Sequence, residues 1–174
     1  MHLRRVKTHK AATPLYLACE GHPLCVHHRD QSADAISVAA PIMRGKADGV
    51  ACLRAGIAQC LLRRLCPSCA TSAAPTPAEA AHFERHHMTV PATIKSPVGC
   101  ADCGHSGYAG RLGVFEMTEI GETLRAAIDR GASEIEFTQI GLREDQTLIS
   151  QARLEVAGGA TSLAEALRVV GDGA

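Results

Sequence analysis

Apolar positions along this chain recur mostly at three- and four-residue steps, the spacing of a helix that buries one face. From Gly49 to Leu65 the set Val50, Leu53, Ile57, Leu61 and Leu65 predicts such a helix. Ser32 is placed to cap an earlier one running to about Met43, with Ala35, Ile36 and Ala39 on one side. Residues 7–20 predict a short helix that Pro14 breaks or delays. Thr76-Pro77-Ala78-Glu79 is a capping box with proline at the first helical position, opening a helix to about His87. Glu122 to Arg130 reads as a helix stopped by Gly131. Ser133-Glu134-Ile135-Glu136 and Ser162-Leu163-Ala164-Glu165 open two more, with Gly158-Gly159 separating the last two helices. Two segments read as extended: Pro23 to Val26, and Leu112 to Met117. The second lies at the end of a glycine-rich stretch, Gly99 to Gly113, suited to tight turns, and the small residues 70–76 read as a loop.

A length of 174 residues fits one moderate domain or two small ones and is enough to bury a core. Lysine plus arginine number 18, as do aspartate plus glutamate, so no net field draws the chain to nucleic acid or to an acidic membrane surface. With aromatic residues at 3% and no tryptophan, base-stacking platforms are not expected either. Met1-His2-Leu3-Arg4-Arg5 is basic but no apolar run follows it, so no secretory signal is expected. No stretch approaches the ~20 apolar residues needed to span a bilayer. The expected compartment is the reducing cytosol, where cysteines stay unpaired or hold metal. Cys19, Cys25, Cys52 and Cys60 stand singly among apolar neighbours and read as small buried hydrophobes.

The remaining four cysteines form two pairs, Cys66-Pro-Ser-Cys69 and Cys100-Ala-Asp-Cys103. A two-residue gap lets both sulfurs of a pair face one ion, and the intervening residues can return the second pair to the first. Four thiolates suit tetrahedral Zn²⁺ and leave no coordination position for a reacting water. Cys66, Cys69, Cys100 and Cys103 are therefore predicted to bind a structural zinc. A thioredoxin-like redox role for either pair would need a neighbouring βαβ pattern, which is absent.

Other candidates are weaker. His82 and His86 fall one turn apart on the helix between the cysteine pairs and read as a solvated face. His27 and His28 follow the short extended run at 23–26, where polar residues often face a site. Residues 40–47 (Ala-Pro-Ile-Met-Arg-Gly-Lys-Ala) imitate a phosphate-binding loop. They lack its first glycine, and alanine stands where a hydroxyl should reach Mg²⁺.

Three ordered blocks carry a family resemblance. Gln59-Cys60-Leu61-Leu62-Arg63-Arg64-Leu65-Cys66-Pro67-Ser68-Cys69 is similar to a Gln-Arg-Leu-x-Arg-x-Leu-Cys-Pro-x-Cys motif. The run from Gly99 to Glu116 resembles a second cysteine pair followed by Gly-Tyr-x-Gly-Arg-x-Gly-x-Tyr/Phe-Glu. Gly159 to Val170 is similar to a closing Gly-x-Thr-Ser-x-Glu-Glu-x-x-Arg-Val segment. Together these resemble the C-terminal part of the type II secretion and type IV pilus assembly ATPases. Upstream, Ala18-Cys19-Glu20-Gly21-His22 resembles that family's Ala-Leu-Thr-Gly-His, and His28-Arg29-Asp30-Gln31-Ser32 stands where its histidine box would fall. The resemblance makes His28 a candidate histidine-box remnant.

The resemblance implies an α/β chain, mostly helical here: a degenerate edge of a RecA-like ATPase core over 1–50, a connecting helix over 51–65, a tetracysteine zinc subdomain over 66–103, and a C-terminal strand and helical bundle over 104–174. It implies a chain truncated before the P-loop. Family members use ATP and Mg²⁺ and act as hexameric motors on an inner-membrane platform protein, on the cytoplasmic side of that membrane. This chain has no P-loop lysine and no acidic pair on a strand, so it is expected not to hydrolyse ATP alone. No catalytic or nucleotide-binding residue is assigned beyond the candidate His28. The expected partners are the platform protein and full-length ATPase subunits, with no nucleic acid and no membrane span. The alternative is a stand-alone zinc-stapled interaction module, binding a protein through the 77–87 helix and the Arg63-Arg64 edge.

Overall fold

A computed structural model of the chain describes residues 26–27, 36 and 54–171. Their structure mixes strand and helix. A three-stranded sheet has the order β1 (Val26–His27), β2 (Ala55–Leu65), β5 (Tyr108–Glu119). Strand β1 lies parallel to β2, with Val26 opposite Ile57 and His27 opposite Ala58. The Cys66 N–H donates to the Gly107 carbonyl (3.0 Å), and the Ile120 N–H to the Arg54 carbonyl (2.8 Å). The end of β2 therefore meets the start of β5, and these two strands are antiparallel. A second pair, β3 (Thr71–Ala73) and β4 (Ile94–Ser96), is also antiparallel. Five α-helices are described: α1 (Pro77–Glu84), α2 (Glu122–Arg130), α3 (Glu134–Gly141), α4 (Leu148–Ala157) and α5 (Leu163–Val170).

The chain divides into two compact units, Met1–Gln59 with Phe115–Thr147, and Cys60–Val114 with Leu148–Ala174. In the first, α2 presents Leu124, Ala127 and Ile128 on one face, and these pack with Ile36, Ile120 and Phe137 into an apolar cluster. Their i, i+3, i+4 spacing on a helix is what puts those three side chains together. Helix α2 stops at Gly131 as expected. In the second unit α4 packs against α5 and against β4. Leu148, Ala152 and Val156, four residues apart, give α4 its buried line.

The segment 55–65 corrects the expected connecting helix: it is strand β2. Its burial alternates at Gly56, Ala58 and Leu62, whereas Leu61, which the helical reading put inside, is 41% exposed. The apolar residues of this segment fit both periods, and a small residue such as Ala58 goes unseen in a pattern built on large ones. Pairing with β1 and β5 decided between them. The loop expected over 70–76 contains β3, whose residues are all exposed and carry no pattern to read. Strand β5 is longer than the predicted 112–117, and alternates strictly, with Leu112, Val114, Glu116 and Thr118 inside. Helix α1 ends at Glu84 rather than near His87, so His86 sits in the turn beyond the helix and does not share a helical face with His82. His87 there adopts φ 52°, a left-handed turn that stops the helix.

The expected elements over 7–20 and beyond Ile36 to Met43 lie outside the described residues, as do His28, Cys19, Cys25, Cys52 and residues 40–47. Ile36 itself is helical and 2% exposed, in keeping with its place in the predicted helix. No helix among the described residues is long and apolar enough to cross a membrane.

Candidate metal centre

Two reverse turns carry the four cysteines. The first begins where β2 ends: the Cys69 and Ala70 N–H groups both donate to the Cys66 carbonyl (3.4 and 3.1 Å). The second is a 3-10 turn, Ala101–Cys103, in which the Cys103 and His105 N–H groups donate to the Cys100 carbonyl (3.2 and 2.8 Å). The two turns are alike in that the carbonyl of the first cysteine accepts the backbone N–H groups that close the turn.

What brings the turns together is the strand pair between them. Thr71 faces Ser96, Ser72 faces Lys95 and Ala73 faces Ile94. That register returns the chain beside Cys69 just before it reaches Cys100, so helix α1 and its flanking turns project as a loop closed at the base. Two glycines allow the tight approach. Gly99 has φ 106°, and a Cβ there would lie 2.7 Å from the His105 carbonyl oxygen. Gly107 has φ 75°, and its Cβ would lie 2.5 Å from the Cβ of Pro97. Any side chain at either position strains the backbone and collides as well.

All four sulfurs lie within 4.8 Å of one another, and Cys66 is buried while the other three are half-buried. The Sγ separations are 3.9 Å for Cys66–Cys100, 3.9 Å for Cys69–Cys103 and 3.8 Å for Cys100–Cys103. A tetrahedron with Zn–S bonds of about 2.3 Å has edges of about 3.8 Å, so the spacing fits a tetrahedral thiolate centre. It does not fit disulfides, whose sulfurs stand at about 2.0 Å, and all four cysteines are free. Backbone donors surround the sulfurs: Gly99 N–H to Cys69 (3.3 Å), and Cys100 and Gly107 N–H to Cys103 (3.2 and 3.3 Å). The Cys100 and Gly107 donors pull the Cys103 thiol down to about 6. At Cys100 the Cys103 N–H acts the same way, but desolvation and the neighbouring sulfurs outweigh it and push that thiol up to about 11. A cation among the sulfurs would favour the thiolate at every one of them.

The sequence reading thus named the four residues that the fold assembles, and Cys60, half-buried on β2, stays apart from them. It missed the polar network beside them. Glu165 and Ser162 read as a capping box, and Ser162 does accept from the Glu165 N–H (3.2 Å). The Glu165 carboxylate turns elsewhere, to Arg168 (2.7 and 2.8 Å) and to Arg63 across 102 residues of chain (2.6 Å). No local signal pairs residues that far apart.

Comparison with known proteins places this arrangement. The family model for type II/IV secretion system proteins matches residues 27–168. The chain is 39% identical over 113 residues to a putative type II secretion system protein E of Escherichia coli (strain K12), covering 65% of this chain and 23% of that protein. It is 37% identical over 117 residues to type II secretion system protein E of Klebsiella pneumoniae, covering 67% and 23% respectively. It is 31% identical over 119 residues to the type IV pilus assembly ATPase TfpB of Acinetobacter baylyi, covering 66% and 20%. The matched region spans less than a quarter of the length of each of these relatives.

Proposed function

Because the chain belongs to the type II/IV secretion system protein family, we propose that its residues form the zinc-stapled C-terminal part of a motor ATPase for protein secretion or pilus assembly. The observation that carries this reading is the cluster of four sulfurs, all within 4.8 Å of one another and three of their separations at 3.8–3.9 Å, inside the matched region. Cys66, Cys69, Cys100 and Cys103 would hold Zn²⁺. With four sulfur ligands the ion has no open position, so its contribution is to the fold rather than to a reaction. The parallel pairing of β1 with β2 supports reading the sheet as the edge of a RecA-like core, with His28 just beyond β1 as the histidine-box remnant.

The residues present include no Gly-x-x-x-x-Gly-Lys-Ser/Thr cradle for phosphates. ATP turnover in this reading belongs to full-length subunits, in a hexamer that works on an inner-membrane platform protein from the cytoplasmic side. The first test is metal content. The purified chain should carry one zinc, and a strong chelator should abolish its cooperative thermal transition. A metal-free chain with an unchanged transition overturns the zinc reading.

A further inference from the structure

A closed ring of contacts lies beside the cysteine turns and includes none of their sulfurs. Glu165, on α5, has a side chain with no exposed surface. Its carboxylate accepts from the Arg63 backbone N–H (3.0 Å), the Arg63 guanidinium (2.6 Å) and the Arg168 guanidinium. The Arg63 guanidinium also lies 4.0 Å from the centre of the Tyr108 ring, and the Tyr108 hydroxyl meets the Ser162 hydroxyl at 2.7 Å. Ser162 accepts from the Glu165 N–H, which closes the ring.

Two members, Arg63 and Tyr108, flank the cysteine turns. Arg63 is in the last residues of β2, and two backbone contacts anchor that end to the start of α5: Thr161 Oγ1 donates to the Arg63 carbonyl (2.8 Å), and the Leu65 N–H to the Ala160 carbonyl (2.9 Å). Cys66 follows Leu65 directly. Tyr108 follows Gly107, whose N–H donates to the Cys103 sulfur and whose carbonyl accepts from the Cys66 N–H. The ring therefore fixes the exit of the second cysteine turn against the entry of the first. The two guanidinium groups are 44% and 59% exposed, whereas the carboxylate between them is fully enclosed. Without that carboxylate, the Arg63 side chain keeps only its contact with the Tyr108 ring, which holds a long, partly solvated side chain weakly. With it, Arg63 is bound at both its backbone and its side-chain end.

We propose that Glu165 is a positioning residue of the tetracysteine site. It sets the separation of the two cysteine turns before a metal arrives, so that metal affinity depends on a carboxylate on the last helix. The inference rests on the reading that the four cysteines hold a metal. Turns held at a fixed separation by contacts outside the coordination sphere lose less freedom on binding a metal than unordered ones, and removing those contacts weakens affinity without changing a ligand. Groups that orient ligands from outside the coordination sphere typically change metal affinity by about 10–100-fold.

The test is a cobalt(II) titration of the reduced, metal-free full chain, read by the absorption bands of tetrahedral cobalt thiolate and followed by zinc competition. Glu165→Gln should weaken both metals at least ten-fold, yet show the wild-type spectrum at saturation, because the same four sulfurs bind. Tyr108→Phe, which removes only the hydroxyl contact to Ser162, should weaken affinity in the same direction by less. It also serves if Glu165→Gln does not fold. Leu124→Ala destabilises the apolar cluster of the other unit and should leave cobalt affinity within two-fold of wild type. Equal affinity in wild type, Glu165→Gln and Tyr108→Phe overturns the positioning role. So does a loss in Leu124→Ala as large as in Glu165→Gln, since affinity would then merely follow stability. A wild-type chain with no tetrahedral thiolate bands fails the metal reading itself, a result distinct from either.

Discussion

Glu165 shows how far a residue's role can depart from its local motif. Its two arginine partners, Arg168 first, hold its carboxyl down at about 2, although burial alone would raise it. A folded-state value below the unfolded one near 4.5 stabilises the protein above pH 4.5, and that stabilisation is lost as pH falls from about 4.5 to about 2. Because both guanidinium groups are partly solvated, the contribution is roughly 1–3 kcal/mol. The stability difference between wild type and Glu165→Gln, measured by denaturant unfolding, should therefore be largest near neutral pH and shrink across that acid window. Cysteine protonation acts on both proteins and cancels in the difference. A difference independent of pH would show that the carboxylate is not held ionised. The three motifs read as capping boxes make the same point about residues. At Thr76 and Glu79 the exchange is reciprocal, with Thr76 N–H to Glu79 at 2.9 Å and Glu79 N–H to Thr76 at 3.3 Å. At Ser133 and Ser162 only the serine half forms, because Glu136 pairs with Arg130 and Glu165 with Arg63 and Arg168. Local sequence specified the cap, and nonlocal charges took the carboxylates.

At the scale of elements, α1 separates two sources of helix stability. Its capping box satisfies N–H groups that would otherwise face water, worth about 1 kcal/mol. Its one buried side chain, Phe83, is fully enclosed. Removing a buried phenylalanine ring costs about 3–5 kcal/mol, so packing outweighs the cap several-fold. Phe83→Ala should lower unfolding free energy by about 3–5 kcal/mol and Thr76→Ala by about 1, as read from chemical denaturation. Equal losses would mean that α1 is held by its terminus rather than its core contact. The buried Arg153 of α4 adds a second hold on α1, donating to the His82 carbonyl at 2.9 Å near the helix end, where the dipole favours a cation. Helix α2, which the sequence placed at both ends, has a glycine stop directly after its last turn, at Gly131. Strand β2 was misread because its larger apolar residues, Ile57, Leu61 and Leu65, stand four apart. What distinguishes a strand from a helix there is the partner on either side, which no window of sequence contains.

For the whole molecule, the division into two units falls inside β2, after Gln59, and inside β5, after Val114. Each unit has its own buried residues, with the cysteine centre wholly in the second. In the proposed reading the 174-residue chain is a structural part of a motor rather than a motor. Purified and metal-loaded, it should release no phosphate from Mg-ATP above a protein-free control, because its sequence holds no Gly-x-x-x-x-Gly-Lys-Ser/Thr motif. Turnover that persists through repeated purification and follows the protein peak would overturn that expectation.

The sequence by itself determined the four metal-ligand candidates, the family, and the starts of four of the five described helices. Each of these is built from short local patterns: a two-residue gap between thiols, a cap and its third residue, a glycine after the last turn, and for the family three such blocks in order. Tertiary structure alone decided that 55–65 is a strand, that β3 and β4 pair to bring the cysteine turns together, and that Glu165 reaches Arg63. Those outcomes depend on contacts between residues from a score to a hundred positions apart, such as the register of Thr71 with Ser96 and the 102-residue span from Arg63 to Glu165. The free energy that selects them comes from pairing and burial, and both exist only once the chain has folded back on itself.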